Sequence, residues 1–440
     1  MKAINEKSPW LWIPTLYFAE GIPYFLVNNI SVMMFTKMGV PNGDMAFFTT
    51  LLYFPWFLKG IWSPIVDVVK TKRWWITSMQ ILMTAMMIVL AISLPMPSQD
   101  IIASGNTPIS IFWLSLILFI ITAFASATHD IAADGYYMLA HNPSSQAAFI
   151  GVRNTFYRIS SVFGQGVLVY IAGTIEKNTG NIPLSWQITL GVAAATFFLV
   201  TFYHIFALPK SQDDKPRITT GNGSSTLKEL GNSFATFFTK PGALLAITFM
   251  LLYRLPEGFL VKICQPFLVA SSDNGGLGLN TDVVGLVYGT IGVIMLLLGG
   301  IVGGIFSSRV GLKKALWWMA LSITLPDFAF VYLSMAMPTN ILAIGTAIAI
   351  EQFGYGFGFT AYMLYMMYFS EGEFKTSHYA ICTAFMALSM MLPGFVAGYI
   401  QEAIGYVNFF WMVIACCSIT LVITLFAYRK IDPEYGIKKQ

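Results

Sequence analysis

The sequence predicts an all-α membrane protein with twelve transmembrane helices. Of its 440 residues, 56% are hydrophobic and only 10% are charged, whereas charged residues make up about 25% of a soluble domain. Apolar stretches of the roughly 20 residues needed to cross a bilayer recur along the chain. One polar segment, 209–240, divides them six and six. Such a chain cannot be a soluble globule, and helices satisfy the backbone of each span.

The twelve expected spans occupy, in chain order, residues 9–36, 44–66, 73–96, 109–139, 147–175, 185–208, 241–270, 281–306, 315–337, 340–370, 376–401 and 406–428. They predict an N-terminal six-helix bundle over 1–208 and a C-terminal six-helix bundle over 241–428. A cytoplasmic linker over 209–240 would join them, and a cytoplasmic tail would cover 429–440. The Gly, Ser and charged composition of the linker suits a flexible connector.

The distribution of basic residues predicts the orientation. With an even number of spans both termini lie on one side, and that side would hold eighteen Lys and Arg residues, whereas the opposite loops hold only Lys37 and Lys177. The positive-inside rule therefore places both termini in the cytoplasm. The net charge of +4 then reflects topology and not nucleic-acid binding.

The residues that carry catalysis, metal binding or nucleotide hydrolysis form no pattern. No GxxxxGK[ST] loop is present, and no nucleophile-base arrangement can be argued. The four histidines fall in different helices or loops without ligand-like spacing, and the four cysteines all fall within spans: His129, His141, His204, His378, Cys264, Cys382, Cys416 and Cys417. We therefore expect that the chain is not an enzyme and has no cofactor, no bound metal and no disulfide bond.

Ionisable residues inside the spans are the main functional signal. Such residues are costly in a bilayer and usually face a cavity or a charged partner. As a set they predict a polar transport pathway, although each alone is equally consistent with a structural ion pair: Glu20, Lys59, Asp130, Asp134, Arg153, Arg158, Arg254, Glu257, Lys262, Asp327 and Glu351.

Depth assigns roles to the carboxylates nearest the midplane. At about 1.5 Å per residue, Glu20 and Glu351 each lie roughly 16 Å from one end of their spans. Since burial favours the neutral form of a carboxyl group, they are the proton-coupling candidates. Arg254 and Glu257 lie one turn apart on one face of span 7 and predict a substrate-binding patch. Lys262, nearer the external surface, is expected to snorkel.

The charges of spans 4 and 5 match by depth. Asp130 and Asp134 lie about 12 and 6 Å from the cytoplasmic end of span 4, and Arg158 and Arg153 enter span 5 by about 16 and 9 Å. The matches predict the pairs Asp130–Arg158 and Asp134–Arg153, interpreted mainly as structural or gating ion pairs. A direct role for Arg158 in binding an anionic substrate stays open.

Glycines suggest how two of the helices pack. The seven glycines of span 8, from Gly285 to Gly304, are expected to let helix backbones approach closely. Gly354, Gly356 and Gly358 alternate with aromatics in span 10 and predict a local unwinding or bend there.

Two loops six spans apart resemble the loop motif of the major facilitator superfamily. The first reads SPIVDVVKTKR over 63–73 and the second GIFSSRVGLKK over 304–314. The first keeps the acidic residue of the motif, Asp67, and the second keeps its arginine, Arg309. The resemblance implies two duplicated six-helix halves that rock about a central site, with Asp67 and Arg309 in gating ion pairs. It also implies a peripheral span 9, and hence little function for Asp327.

Further stretches resemble the AmpG-like muropeptide permeases, a family within that superfamily. They are SATHDIAADGYYMLA over 126–140, FLKGIWSPIVD over 57–67, Tyr157-Arg158, LLYRLPEGF over 251–259, Glu351 with the glycines after it, and PGFVAGYIQEAIGYVNFF over 393–410. The chain departs from the family at Glu20, His129 and Tyr137, where small or polar, glutamine and basic residues are usual.

The resemblance implies a proton-coupled symporter that imports cell-wall-derived muropeptide or amino-sugar oligosaccharide fragments. Its expected partners are a small-molecule substrate, protons and membrane lipid, with no nucleic acid and a monomeric chain. Spans 1, 4, 7 and 10 would line the site. Six side chains could stack on a sugar or hydrogen-bond to it, or could instead pack between helices: Tyr17, Tyr24, Asn28, Asn29, Tyr355 and Tyr362.

Three alternatives stay open. The family grades into acetyl-coenzyme-A transporter-like proteins, so another anionic substrate, such as an acyl-CoA-like or sugar compound, is the first. A membrane-embedded enzyme acting on lipid-linked sugars would need a catalytic constellation near one face. A non-transporting sensor would bind its ligand without flux.

Overall fold

The computed structural model describes residues 8–94, 109–140, 143–210, 214, 234–372, 375–433 and 435. Within these ranges the chain is helical and contains no β-strand. The expectation of an all-α fold is therefore confirmed. Nine helices of the described part are long and apolar enough to cross a membrane.

In the first part of the chain the described residues form a series of α-helices. They are α1 (Ile13–Phe25), α2 (Ser31–Lys37), α3 (Asn42–Leu51), α4 (Phe54–Val68), α5 (Lys72–Ser93), α6 (Ile109–Ala140), α7 (Pro143–Ser161), α8 (Val169–Thr179) and α9 (Ile182–Ala207). A π-helical turn over Leu26–Ile30 joins α1 to α2, and another over Val162–Leu168 joins α7 to α8. Each of these pairs therefore continues as one span.

In the second part of the chain the described residues form a further series of α-helices. They are α10 (Ala243–Leu252), α11 (Leu255–Val269), α12 (Thr281–Val284), α13 (Val293–Val310), α14 (Leu312–Thr324), α15 (Phe328–Ala336), α16 (Ile341–Ser370) and α17 (Lys375–Lys430). Gly405 interrupts α17 with a φ of 74°, a conformation that costs glycine little. Two expected spans, 376–401 and 406–428, thus lie on either side of this kink.

Side-chain caps and prolines set several helix boundaries. Asn181 caps α9 by accepting a hydrogen bond from the backbone N–H of Leu184, at 2.8 Å, which satisfies a donor that the helix leaves unpaired. Proline acts differently, because it lacks an N–H and fits the first turn of a helix. Pro256 follows the break between α10 and α11, and Pro326 lies in the 3₁₀ turn Leu325–Asp327 between α14 and α15.

The described residues group into two compact units. The first unit comprises those of 1–40, 52–219 and 280–289, and the second comprises those of 41–51, 220–279 and 290–440. Helix α3 thus belongs to the second unit, where the Gly43 N–H donates to Glu402 Oε1 at 2.7 Å. Helix α12 belongs to the first, where Thr281 Oγ1 donates to Glu176 Oε2 at 2.8 Å. The predicted division into halves at 208 and 241 stays a prediction.

Glycines bring helix backbones together, as expected for span 8. A Cβ atom added to Gly299 would meet the Phe353 carbonyl oxygen of α16, and one added to Gly356 would meet the Leu296 carbonyl oxygen of α13. Close approach without a Cβ on either side is how small residues join helices in membranes. Glycines of the two helices therefore form one seam.

The local unwinding expected in span 10 is wrong, whereas a bend there stays a prediction. Helix α16 runs without a break from Ile341 to Ser370. Its alternating glycines face neighbouring helices: a Cβ on Gly354 would meet Pro326, and one on Gly358 would meet Ile323. Packing on both sides compensates for the weak helix propensity of glycine, so this stretch stays helical.

We predict that Gly356→Ala destabilises the second unit, because the new methyl group would collide with a backbone carbonyl that cannot move alone. Overpacking of this kind costs about 1–3 kcal/mol. The measurement is the thermal unfolding midpoint in detergent, and the matched control is Gly304→Ala on α13, where an added Cβ meets no atom within 4 Å. Equal midpoints for the two variants would contradict the seam.

Candidate functional site

A charged cluster forms in the first unit from side chains of four helices. Glu20 comes from α1, Lys59 from α4, Asp130 and Asp134 from α6, and Arg153 from α7. Asp130 and Asp134 are four residues apart and therefore share one face of α6. Every member was identified in the sequence as an ionisable residue within a span, but the set as a whole was not.

Two ion pairs organise this cluster. Arg153 Nη2 lies 2.6 Å from Asp134 Oδ1, which confirms the predicted Asp134–Arg153 pair. Asp130 Oδ2 accepts a hydrogen bond from Lys59 Nζ. The carboxyl groups of Glu20 and Asp130 also lie within hydrogen-bonding reach of each other.

The predicted Asp130–Arg158 pair is wrong, since Lys59 takes that position. Arg153 and Arg158 are five residues apart, which places them about 140° apart around one helix. Both cannot point at the same face of α6, however well their depths match. Among the described residues Arg158 forms no ion pair, and its side chain is half-buried.

Aromatic residues extend the cluster along α1. Tyr17 is buried, and its hydroxyl lies 3.5 Å from Asp134 Oδ1. The Arg153 guanidinium stands over the Tyr17 ring, 4.4 Å from its centroid, an arrangement that favours a cation electrostatically. Tyr17 is therefore bound into the charged cluster, a role that the sequence analysis did not anticipate.

Glu20 is buried with one carboxylate oxygen, Oε2, that has no hydrogen-bond partner among the described residues. About two helical turns after Glu20, the π-helical turn Leu26–Ile30 contains Asn28 and Asn29. Such turns often occur at functional sites. Asn28 is buried and donates to the Tyr24 carbonyl at 3.1 Å, and its own Oδ1 accepts no hydrogen bond from a described residue.

A buried histidine network beside this cluster was missed. Gln80 of α5 lies 3.0 Å from His129 Nε2 and 2.9 Å from His204 Nδ1, and His204 Nε2 lies 2.9 Å from Thr15 Oγ1. Spacing along the chain gave no signal, because the members come from four different helices. Only the polarity of Gln80 in the middle of span 3 could have suggested it.

The second unit places Arg254 among aromatic rings. Arg254 is buried at the start of α11, and its Nη2 donates to the Tyr355 hydroxyl. Its guanidinium lies 4.7 Å from the Phe359 ring centroid and 5.8 Å from that of Tyr362. The Tyr362 hydroxyl donates to the Met250 carbonyl at 2.7 Å, so this tyrosine acts here as a packing residue.

A carboxylate cluster in the second unit joins three residues that the sequence treated separately. One oxygen each of Glu257, Asp327 and Glu351 lies within 4.8 Å of the others, and all three side chains are buried. The sequence analysis expected little function for Asp327, and this cluster was therefore not anticipated. The helix break at Pro326 sets Asp327 in a 3₁₀ turn facing α11 and α16, which no depth argument captures.

Three further expectations concern the ends of spans. Lys262 does not snorkel: it is buried, and its Nζ donates to Thr49 Oγ1 at 3.0 Å. Arg309 lies exposed in the last turn of α13, where a cation stabilises the helix C-terminus. It forms no ion pair with a described residue. The side chain of Asp67 lies outside the described part of the chain, so its gating role stays a prediction.

Twelve expected spans, helices that continue through π turns, and buried charges in both units define a multi-pass membrane transporter. The family model of the Major Facilitator Superfamily matches residues 15–373. The chain therefore belongs to this superfamily, and the resemblance identified in the sequence is confirmed.

Relatives of known name cover almost the whole chain. AmpG 4 of Rickettsia conorii is 25% identical over 427 residues, which are 95% of this chain and 96% of that protein. The anhydromuropeptide permease of Escherichia coli K12 is 23% identical over 423 residues, which are 95% of this chain and 79% of the permease. Within the superfamily, the chain is thus similar over almost its whole length to proteins named AmpG and anhydromuropeptide permease.

Solved structures agree on the fold. A D-xylose-proton symporter matches with a TM-score of 0.71 at 12% identity, covering 97% of this chain and 98% of that one. The nucleoside transporter NupG matches with a TM-score of 0.68 at 15% identity, covering 98% and 100%. At this identity the likeness shows the major facilitator fold and nothing about the substrate.

We predict that Asp130 is energetically coupled to Lys59 and not to Arg158. Removing either charge leaves its partner poorly compensated, so a double-mutant cycle of Lys59→Gln and Asp130→Asn should give a coupling of about 0.5–3 kcal/mol. The cycle is measured on unfolding midpoints in detergent. The control cycle pairs Asp130→Asn with Arg158→Gln and should be additive, and the reverse outcome would restore the pairing first predicted from depth.

Proposed function

We propose that this transporter imports cell-wall-derived muropeptide or amino-sugar oligosaccharide fragments together with protons. The observation that carries the proposal is similarity over 95% of the chain to a protein named anhydromuropeptide permease. The buried charges of the two units supply chemistry that suits this cargo. We infer also that both termini are cytoplasmic, that the membrane is the bacterial inner membrane, and that the chain acts as a monomer.

Fixed cations suit the carboxylates of a muropeptide. Arg158 is half-buried and forms no ion pair with a described residue, which favours the substrate-anion role over the ion-pair role. Arg254 offers a second guanidinium, held against the rings of Tyr355 and Phe359. Guanidinium groups bind carboxylates through paired hydrogen bonds, so both arginines suit the peptide part of such a substrate.

Aromatic and amide side chains suit its sugar part. Tyr24 is half-buried beside Trp56 and Tyr157, and Asn28 and Asn29 project from the π-helical turn of span 1. A sugar has an apolar face that packs on rings and hydroxyl groups that hydrogen-bond to amides. Tyr24, Asn28 and Asn29 therefore remain the sugar-binding candidates, whereas Tyr362 is already engaged in packing.

Glu20 is the first proton-carrier candidate. Two bases, Lys59 and Arg153, balance two acids of the cluster, Asp130 and Asp134. Glu20 is then the surplus acid, and it lies within hydrogen-bonding reach of Asp130. Two carboxyl oxygens can hydrogen-bond only if one of them carries a proton, so this position suits a proton that binds and leaves during transport.

Glu351 is the second candidate and lies in the other unit. It is 1% exposed, and one of its oxygens accepts a hydrogen bond from Gln352 at 2.9 Å. A buried carboxyl without a cationic partner favours its neutral form. Transfer of the proton to and from water would then require a change in the surroundings of this side chain, which is what coupling to substrate needs.

Another anionic cargo, such as an acyl-CoA-like or sugar compound, is the second candidate function, because the two arginines do not by themselves select muropeptides. Counterflow in proteoliposomes separates the two. Labelled anhydro-muropeptide should exchange against internal unlabelled muropeptide, and an acyl-CoA or simple sugar should not compete. Binding without exchange would indicate a sensor, and chemical conversion of the labelled compound would indicate an enzyme.

We predict that Glu20→Gln and Glu351→Gln differ from wild type in accumulation and not in exchange. Removing an obligatory proton carrier uncouples transport from the pH gradient while leaving the substrate site in place. The measurement is uptake under an imposed pH gradient beside counterflow at equal pH. Glu402→Gln, at an exposed position that keeps an acceptor oxygen, is the control. Full gradient-driven accumulation in both single variants would contradict the assignment.

We predict that Arg254→Ala weakens substrate binding more than it lowers folded yield. A hydrogen bond to a charged group contributes about 1.5–3 kcal/mol, so affinity should fall roughly ten-fold to a hundred-fold. The half-saturation concentration in counterflow measures this, with the exposed Arg429→Ala as control. An unchanged half-saturation concentration would leave Arg254 with a packing role only.

A further inference from the structure

The carboxylate cluster of the second unit has the form of a metal-ion site. Glu257 lies in the first turn of α11, Asp327 in the 3₁₀ turn before α15, and Glu351 within α16. Their exposed fractions are 1% each. We propose that these three side chains bind one hard metal cation of the size of Na⁺ or Ca²⁺.

Glu257 is the observation that points to a ligand. Both of its carboxylate oxygens are buried, and neither has a hydrogen-bond partner among the described residues. Leaving buried polar atoms unpaired is costly, and proteins rarely do so without a ligand, water or ion nearby. One of these oxygens lies within 4.8 Å of an oxygen of Asp327 and of an oxygen of Glu351.

Neighbouring side chains hold the other two carboxylates by one oxygen and leave the second free. Gln352 Nε2 donates to Glu351 Oε2 at 2.9 Å, and Cys417 Sγ lies 3.4 Å from Asp327 Oδ2. Glu351 Oε1 and Asp327 Oδ1 have no hydrogen-bond partner among the described residues. Outer contacts that orient ligands in this way are a regular feature of metal sites.

The spacing permits a cation of the size of Ca²⁺. The three oxygens all lie within 4.8 Å of one another, and two oxygens that bind one Ca²⁺ at roughly 2.4 Å can be no farther apart than that. Na⁺ binds oxygen at closely similar distances. Mg²⁺ binds at about 2.0–2.1 Å and gives up its water reluctantly, which disfavours it in a buried site.

Charge also favours a cation. Three carboxylates close together in a low-dielectric interior repel one another, and none forms an ion pair with a described residue. Arg254 lies one helical turn from Glu257 and donates a hydrogen bond to Tyr355, and its single positive charge can balance at most one of the three negative charges. A metal ion would supply the missing positive charge. It would displace any proton on Glu351, because metal-bound carboxylates must be ionised.

The test measures binding of the metal alone and needs no transport substrate, so it stands whether or not the proposed cargo is correct. Purified protein in choline chloride at constant ionic strength is titrated with NaCl, CaCl₂ or MgCl₂, and the unfolding midpoint is followed. Equilibrium dialysis with ²²Na⁺ or ⁴⁵Ca²⁺ then measures stoichiometry. A ligand that binds only the folded chain raises its stability in a saturable way.

We expect Na⁺ or Ca²⁺ to raise the midpoint by several degrees, with one ion bound per chain and little effect of Mg²⁺. Glu257→Gln and Asp327→Asn should abolish this response, whereas Glu402→Gln should keep it. The two variants should remain folded, since each removes a repelling charge and is expected to be more stable than wild type in choline. Glu257 and Asp327 also differ from the residues assigned to proton transfer.

Three results would overturn the proposal. The first is the absence of a saturable response to either cation in the wild type. The second is a response that persists unchanged in both variants. The third is a stoichiometry of less than half an ion bound per wild-type chain at saturating isotope, in which case protons alone occupy the cluster. This dialysis measurement decides the question if a variant fails to fold.

Discussion

The exclusion of water from the membrane interior is the constraint that shapes this molecule. It forces the backbone into helices, and it makes each charged side chain find a partner, a proton or an ion. The first unit meets the demand with opposite charges, Lys59 beside Asp130 and Arg153 beside Asp134. The second unit gathers three acids with no base paired to them in its described part.

Helix irregularities decide where these charges lie. A π turn in span 1 presents Asn28 and Asn29, the break before α11 places Glu257 in a first turn, and the turn at Pro326 places Asp327. In a regular helix, the direction of each side chain would follow from its position in the sequence alone. Each irregularity departs from the 3.6-residue repeat and therefore changes the direction in which nearby polar side chains leave the helix.

The sequence predicted the fold well because hydropathy and span length follow directly from the bilayer. It also predicted the Asp134–Arg153 pair from depth. Depth alone failed for Asp130, since it ignores the direction in which a side chain leaves its helix, and Lys59 of a third helix was nearer. The same limit hid Asp327, whose contact with Glu257 and Glu351 depends on how three helices pack.

The glycines of span 10 show that helix packing can override local helix propensity. Local propensity predicted a weak helix at Gly354, Gly356 and Gly358, yet α16 is continuous there. The backbone freedom that weakens an isolated helix is removed once α13 and α14 pack against it, and the missing Cβ atoms become the reason for the close fit.

The two units therefore differ in how their buried charge can respond to transport. In the first unit each aspartate has a basic partner. Gain or loss of one proton at Glu20 would therefore change the net charge of a cluster whose other charges are balanced. In the second unit no described base pairs with the three carboxylates, so the proton or the metal ion proposed above would supply the positive charge. Emptying such a site would lower its stability, because it would leave three negative charges facing one another. Occupancy is thereby linked to the packing of α11, α15 and α16, the helices that carry the ligands. A cation that enters or leaves would bias those helices directly, which is the differential interaction that any coupling of ion and substrate requires.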